Sequence, residues 1–430
     1  MYFNNFFRRA LVAALAAILV TACGGGDGSG PAQTSLPGTP TLNVLPAVPA
    51  VKNALSIYVD AGPADTGYNV NRLYTDVTIC QPGKSSPGSP TQCQTIKHVL
   101  VDTGSTGLRL LSSAMAPDLN LSRLTGGGGL PLFNCVQFLD LTYAWGPVAT
   151  ADIVLGGKTA ASVPIQVIAD PAFNSPATEC AAGGTTAVTT AKVLGANGIL
   201  GIGLFKEDCG LTCTTNPSNG SYFTCANADC TVIAGAKATK DQQVKNPVPL
   251  LPSDNNGIYN NGVVIDLLTG SSAVARDLRG TLTLGIGTQP LFPSAVLTTN
   301  NVGEITTTLA GRPPLTKSFL DTGSNGLYFD STIPKCLGSS AGFYCPEVPT
   351  KLQATLLGAN GLTSSFTFSI DKATDLFAGA INSVLPTLAG DIPGQTSTFD
   401  WGLPFFYGRR VFIGIDGQVS PLGTGPFYAF

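Results

Sequence analysis

The stretch Val99-Leu100-Val101-Asp102-Thr103-Gly104-Ser105-Thr106-Gly107-Leu108 is written again, far downstream, as Ser318-Phe319-Leu320-Asp321-Thr322-Gly323-Ser324-Asn325-Gly326-Leu327. Each copy is an apolar, β-prone run, then Asp-Thr-Gly-Ser, a second glycine two residues on, and leucine. A carboxylate straight after an apolar strand is an expensive place for charge unless something pairs with it. Writing the same oddity twice implies that the two strands end side by side and their carboxylates meet. Two such carboxylates cannot both ionise cheaply, so one pKa rises and the pair shares a proton. The site then offers an acid and a base at one pH, enough to activate a water and protonate a leaving group. Turn preference alone explains one Asp-Thr-Gly-Ser, because Asp, Gly and Ser all favour turns. It does not explain matched flanks on both sides of two copies.

Composition narrows the fold around this pair. Only 11% of the residues are charged, and there are 51 glycines and 31 prolines. With many Thr, Val and Ser residues in short periodic runs, the chain reads as all-β with many turns. Net charge is −3 with no long basic run, which argues against nucleic acid as a partner. The single histidine, His98, argues against a His-rich zinc site and leaves one imidazole for any Ser-His or Cys-His pair. It stands four residues before Asp102. On period-2 alternation the two share a face, which leaves open a contact with Asp102 or a strand histidine with no catalytic part.

Taken in order, Arg8 and Arg9 precede the apolar stretch Ala10 to Val20, which runs into Thr21-Ala22-Cys23. A charged start, a short apolar centre and small residues before a cut make a secretory signal over residues 1–22. The stretch is short for a membrane span. Val20-Thr21-Ala22-Cys23 resembles a bacterial lipobox, which implies that Cys23 becomes the lipidated N-terminus. Gly24, not Asp, follows it, which the same resemblance associates with the outer membrane, on its periplasmic face or at the cell surface. Residues 23–48 are rich in Gly, Pro, Ser and Thr and read as a flexible tether.

Ten further cysteines, an even number in an exported chain, suggest up to five disulfides. Cys80–Cys93 and Cys336–Cys345 suit local pairing. The connectivity among Cys209, Cys213, Cys225 and Cys230 stays open, with a four-cysteine zinc site as the rival. Strands are expected at Ala54–Val59, Thr75–Ile79, Thr95–Val101, Ile305–Leu309 and Thr316–Leu320. Phe138–Gly146, then Ala149–Leu155, then Gly156-Gly157 has the signature of a hairpin. Ala378–Leu388 fits a short helix or a strand equally.

The two Asp-Thr-Gly motifs resemble those of the pepsin-like aspartic peptidases, which carry one in each of two related lobes. Three further stretches extend the resemblance over about Leu55 to Phe430. Leu141-Thr142-Tyr143-Ala144-Trp145-Gly146 looks like the hairpin that closes over substrate, with Tyr143 as the flap tyrosine. Ala196–Gly203 and Asp400–Asp416 look like the apolar-Gly segments beside each catalytic loop, with Gly402 as the partner of Gly201. Glycine suits such places because a residue without Cβ lets two backbones approach closely. Two departures stand out: Arg109 occupies a position where the family commonly has an aromatic, and Ser324 one where it usually has Thr. Arg109 could also sit near the cleft and lower a carboxylate pKa.

The resemblance implies an all-β, bilobal, pepsin-like acid-protease fold, two related β-barrel-like lobes with the active-site cleft between them. The lobes would be residues 49–275, with a Cys-rich insertion at about 205–260, and residues 276–430. Asp102 and Asp321 would be catalytic, holding a water that attacks a peptide carbonyl. Thr103, Gly104, Ser105, Thr322, Gly323 and Ser324 would hold the carboxylates or their loops. The activity implied is that of an aspartic endopeptidase on peptide or protein substrates, with its optimum on the acid side. It would need no metal and no cofactor and would act as a monomer on a lipid anchor. The alternative is a lipoprotein that grips a peptide or glycan in the same cleft without cleaving it. Glycoside hydrolysis by the carboxylate pair is a third reading, with no other feature behind it.

If Cys23 is the anchor, Cys23→Ser releases the protein from the membrane fraction and leaves the folded body intact. Cell fractionation with detection of the chain decides it; unchanged fractionation contradicts the lipobox reading.

Overall fold

Ala54–Val59 alternates apolar and polar side chains, and Leu55, Ile57 and Val59 are the buried set. This strand pairs antiparallel along its whole length with Leu278–Leu284. The computed structural model describes residues 53–430 other than 65, 86–91, 183, 185, 228–229, 269–272, 291–292 and 379–380. The signal segment, Cys23 and the tether lie outside the described residues. The class is all-β, as the composition implies, and the helices are single turns or little more.

The strand Cys93–Asp102 shows how the first motif is delivered. Its outer half alternates in burial, whereas its last four residues, Val99 to Asp102, are all buried. They are buried because the strand is flanked on both sides. Leu73–Cys80 runs antiparallel to it, and Gly198–Ile202 runs parallel with Gly201 level with Asp102. Gly198–Ile202 also pairs antiparallel with Thr106–Leu111, the strand that leaves the Asp102 loop. The second half of the chain repeats this unit. Leu315–Leu320 lies between Ile305–Leu309, antiparallel, and Thr398–Trp401, parallel. Thr398–Trp401 pairs antiparallel with Leu327–Phe329, the strand that leaves the Asp321 loop.

Glycine is obligatory where these units close. A Cβ on Gly201 would lie 2.7 Å from the Gly107 nitrogen, and one on Gly402 would lie 2.1 Å from the Gly326 carbonyl oxygen. The two apolar-Gly segments therefore press on the loop of their own aspartate in the same way.

The lobe around Asp321 is a sheet in the order Thr363–Ile370, Thr350–Leu357, Ile305–Leu309, Leu315–Leu320, Thr398–Trp401, Leu327–Phe329, Ala389–Gly390. Phe399 stacks on Trp401 at 3.7 Å and on Phe329 at 4.6 Å between ring centroids, giving that lobe an aromatic core. A second sheet carries the Asp102 unit. Gly262–Asp266, Leu278–Leu284, Arg410–Gly414 and Phe427–Ala429 continue it, so the end of the chain returns to the first strand.

Thr142–Leu155 is one strand of 14 residues, and Gly146 and Pro147 do not interrupt it. It takes part in two hairpins. Upstream it pairs with Leu132–Gln137 across a turn at residues 138–141, which moves the expected strand start at Phe138 into the turn. Downstream it pairs with Lys158–Ile168 across Gly156-Gly157, both at positive φ as a two-residue hairpin turn demands. The disulfides are Cys80–Cys93, Cys135–Cys180, Cys209–Cys213, Cys225–Cys230 and Cys336–Cys345. The strand Tyr222–Cys225 pairs with Leu132–Gln137, so the cysteine-rich stretch is sewn onto the Asp102 half. Ala378–Leu388 is neither helix nor strand among the described residues.

Gly402→Ala forces a backbone overlap and is expected to cost about 3 kcal/mol or more. Gly361→Ala, at φ +78° with open space around it, costs only the left-handed strain of about 1–2 kcal/mol. Urea unfolding of the two variants checks the order; equal losses contradict the packing described for Gly402.

Candidate active site

Two threonine hydroxyls set the geometry. Thr103 N donates to Thr322 Oγ1 at 3.1 Å, and Thr322 N donates to Thr103 Oγ1 at 3.0 Å. Each hydroxyl then donates across to the other strand: Thr103 Oγ1 to the Leu320 carbonyl at 2.9 Å, Thr322 Oγ1 to the Val101 carbonyl at 2.7 Å. All four bonds cross between the two motifs. They satisfy two backbone N–H and two carbonyl groups at the ends of the Asp strands. The arrangement is a local two-fold, and it brings Asp102 and Asp321 together.

The approach is close enough that only glycine fits beside it. A Cβ on Gly104 would lie 2.5 Å from Asp321 Cγ, and one on Gly323 would lie 2.8 Å from Asp102 Cγ. The two carboxyls face each other across these glycines, close enough for Asp102 to raise the Asp321 carboxyl. Asp102 accepts from Gly104 N at 2.8 Å, Ser105 N at 3.1 Å and the Ser105 hydroxyl. Asp321 accepts from Gly323 N at 2.7 Å and from Ser324 Oγ at 3.0 Å. Asp321 is pushed well above the usual carboxylate range, first by burial and then by the charges of Asp102 and Asp400. The shared proton belongs to the pair, and the unequal surroundings of the two loops bias it toward Asp321.

All the residues singled out in the two motifs are brought together, with a division of labour the sequence did not give. The serines touch the carboxylates, the threonines lock the loops, and the glycines make room for the opposite aspartate. A third carboxyl was missed. Asp400 Oδ2 lies 2.5 Å from Ser324 Oγ, and burial lifts the Asp400 carboxyl to about 8, opposed by the Ser324 bond and assisted by the charge of Asp102. Its signal was present: a carboxylate flanked by Phe399 and Trp401 in an apolar strand is the same oddity that marked Asp102.

Two other polar groups tie the halves together here. Asn71 Nδ2 donates to the Asn325 and Leu385 carbonyls, both at 2.8 Å, and its Oδ1 accepts from Leu385 N and Tyr407 Oη. Arg72 Nη1 lies 3.4 Å from the Gly323 carbonyl, which makes Arg72 a cation at the edge of the site.

Arg109, which from the sequence could sit near the cleft, is held beneath its own strand instead. It is 1% exposed and donates to Asn134, to Gln166 at 2.7 Å and to Asp208 at 3.0 Å. Leu108 and Leu110 point into the core, so alternation turns Arg109 to the other face, where Asp208 waits with Tyr222 on its second oxygen. His98 does not meet Asp102 either. The register shifts near it, it sits at φ +51°, and its Nε2 is 3.2 Å from Asp60. Tyr143 is 8% exposed and packs with Phe133, Cys135, Trp145 and Cys180. The open residues of that hairpin are at its turn, Leu139 and Leu141. Between them, Asp140 contributes to raising the pKa of Tyr328, beside the Asp321 loop, where burial is the largest cause.

The model of a family described as "Protein of unknown function (DUF3443)" matches residues 49–430. No curated protein matches the chain. Among solved structures, the crystal structure of an aspartic proteinase from Irpex lacteus matches at 14% identity and a TM-score of 0.45, covering 87% of this chain and 96% of that one.

Thr103→Ala strands the Thr322 amide and the Leu320 carbonyl without partners and is expected to cost about 2–3 kcal/mol. Thr103→Ser keeps the hydroxyl and is expected to cost less than about 1 kcal/mol. Denaturant unfolding of the pair checks this; equal losses show that methyl packing, not the crossed bonds, holds the loops.

Proposed function

The chain belongs, over residues 49–430, to the family described as "Protein of unknown function (DUF3443)", and from the site itself we propose that it is an aspartic endopeptidase. The observation that carries the reading is the crossed threonine bonding that holds Asp102 against Asp321. A fold rarely maintains two like charges in contact for stability, since one of them must be kept protonated at a cost. Sites that do so use the shared proton for chemistry.

In the proposed reaction Asp102 and Asp321 hold one water between them. Asp102, as carboxylate, takes a proton from the water as its oxygen attacks the peptide carbonyl. Asp321, as acid, donates a hydrogen bond to that carbonyl oxygen and stabilises the charge developing on it. The tetrahedral intermediate collapses as the leaving nitrogen takes a proton from the pair, and the starting state returns with one proton shared. Ser105 and Ser324 hold the two carboxylates in orientation from behind. The turn of the Leu132–Gln137 and Thr142–Leu155 hairpin, with Leu139 and Leu141 open, would cover a bound peptide and keep water out.

The same proposal sets the protein outside the cytoplasm. Five disulfides support export, since such bonds persist in oxidising compartments. A lipid anchor at Cys23, at the end of the tether, would hold a monomeric body at the envelope.

Activity on a mixed peptide library is expected to be bell-shaped in pH, with limbs that belong to the pair. Because Asp321 titrates above the usual carboxylate range, the alkaline limb extends beyond that of an ordinary carboxylate. Asp102→Asn and Asp321→Asn should each abolish turnover, and the double variant should be no worse than either, since the two act as a unit. If wild type cleaves nothing that the variants leave intact at any pH, the cleft is a binding site and the peptidase reading is wrong.

A further inference from the structure

Ser324 Oγ touches two carboxyls at once, Asp321 Oδ2 at 3.0 Å and Asp400 Oδ2 at 2.5 Å. A serine hydroxyl has one proton to donate. It cannot satisfy two carboxylates, so one of the two groups must be a neutral acid that donates to Ser324 Oγ. The contact between Asp102 and Asp321 needs a proton for the same reason. The three carboxyls of the row Asp102, Asp321, Ser324, Asp400 therefore hold two protons between them and a single negative charge.

The surroundings of Asp400 are those of an acid, not of a carboxylate. It is 2% exposed, and its Oδ1 has no hydrogen-bond partner among the described residues. An orphaned oxygen is far cheaper on a neutral carboxyl than on an ion. Its strand neighbours in register are Phe319 and Tyr328. The ionisable groups around it are Asp102 and Asp321 from the two loops, Tyr328 from the facing strand and Tyr428 from the last strand. Arg72 is the cation that reaches Tyr328. The local two-fold does not call for this group. Asp400 stands two residues before Gly402, and two residues before Gly201 stands Ile199, an apolar core residue. Asp400 is thus an addition to one lobe.

We propose that Asp400 is a positioning residue that stores a proton for the Asp102–Asp321 pair and passes it through Ser324, so that the pair stays singly protonated at pH values where two carboxyls alone would have lost it. The transfer balances. The Asp400 Oδ2–H bond breaks as its proton passes to Ser324 Oγ, and the Ser324 O–H proton passes to Asp321 Oδ2. Asp400 is left as a carboxylate, Asp321 as an acid and the serine unchanged. The effect on activity rests on the peptidase reading; the proton count rests on the geometry alone.

The test compares full-length wild type with Asp400→Asn, which keeps the shape and has no proton to yield, and Asp400→Ile, which copies Ile199. Two quantities are measured over about pH 4 to 9: peptide cleavage and the unfolding equilibrium in denaturant. The alkaline limb of cleavage is expected to fall by about one pH unit or more in both variants, with the acid limb in place. The unfolding arm follows from the sign of the shift. Burial lifts Asp400 to about 8, so the folded chain keeps a proton that the unfolded chain releases, and wild-type stability falls as pH rises through that window. That fall is expected to be shallower in the variants by about tenfold in folding constant per pH unit. An unmoved alkaline limb together with an unmoved unfolding slope overturns the proposal. If wild type cleaves nothing, the peptidase reading fails while the unfolding slope still decides the proton store. If neither variant folds, the infrared carbonyl absorption of neutral carboxylic acids in wild type decides: an intensity of two such acids near neutral pH is expected, one from the Asp102–Asp321 pair and one from Asp400, and an intensity of one or none overturns the proposal.

Discussion

Two buried like charges can be held in contact only by a scaffold that does not depend on them. Here that scaffold is the crossed pair of threonine hydroxyls, Thr103 and Thr322, each bonded to the amide and carbonyl of the opposite strand. Everything near the site follows from it. The strands ending at Asp102 and Asp321 must run in on matching paths, which is why each is clamped between an antiparallel and a parallel neighbour. Each loop must leave room for the other's carboxyl, which is why Gly104 and Gly323 carry no side chain. Each loop must also be backed closely by its own lobe, which is why Gly201 and Gly402 lie against it.

The two halves obey this constraint in the same way, yet their electrostatics differ. On the Asp102 side three donors from its own loop meet the carboxylate. On the Asp321 side one amide and one hydroxyl do so, and that hydroxyl is shared with Asp400. Fewer donors and a neighbouring carboxyl both favour the protonated form at Asp321. A symmetric frame thus gives an asymmetric pair, and asymmetry is what separates an acid from a base. Arg72 stands at the edge of this cluster, while the other nearby guanidinium, Arg109, is spent on Asp208 beneath the first lobe.

The pair itself was legible because duplicated strand-end carboxylates have no cheap structural explanation. The lobe plan was legible for the same reason, since Gly201 and Gly402 follow each motif in the same order. What escaped the sequence escaped for identifiable reasons. Asp400 breaks the same rule as Asp102, but it occurs once, with Ile199 in its place in the other half, so repetition could not flag it. The place of Arg109 stayed open because alternation gives the face of a strand and not what covers that face; Asp208 and Tyr222 arrive from about a hundred residues downstream. His98 keeps clear of Asp102, as a strand histidine with no catalytic part does, because a shift of register beside it breaks the period of two. Phe138–Gly146 and Ala149–Leu155 are not two separate stretches of a hairpin, because one strand runs through Gly146 and Pro147. Cys80–Cys93 could be paired by proximity, but Cys135–Cys180 depends on how that hairpin folds back.

The central claim is that Asp102 and Asp321 recognise a tetrahedral centre and not merely a peptide. The most direct measurement is calorimetric binding of two aliphatic peptides that differ only at one position. One carries a secondary hydroxyl in place of the scissile carbonyl, and the other carries hydrogen there. The account predicts that wild type binds the hydroxyl peptide at least about a hundredfold more tightly, and that Asp321→Asn removes most of the difference. Equal binding of the two peptides by wild type would contradict it.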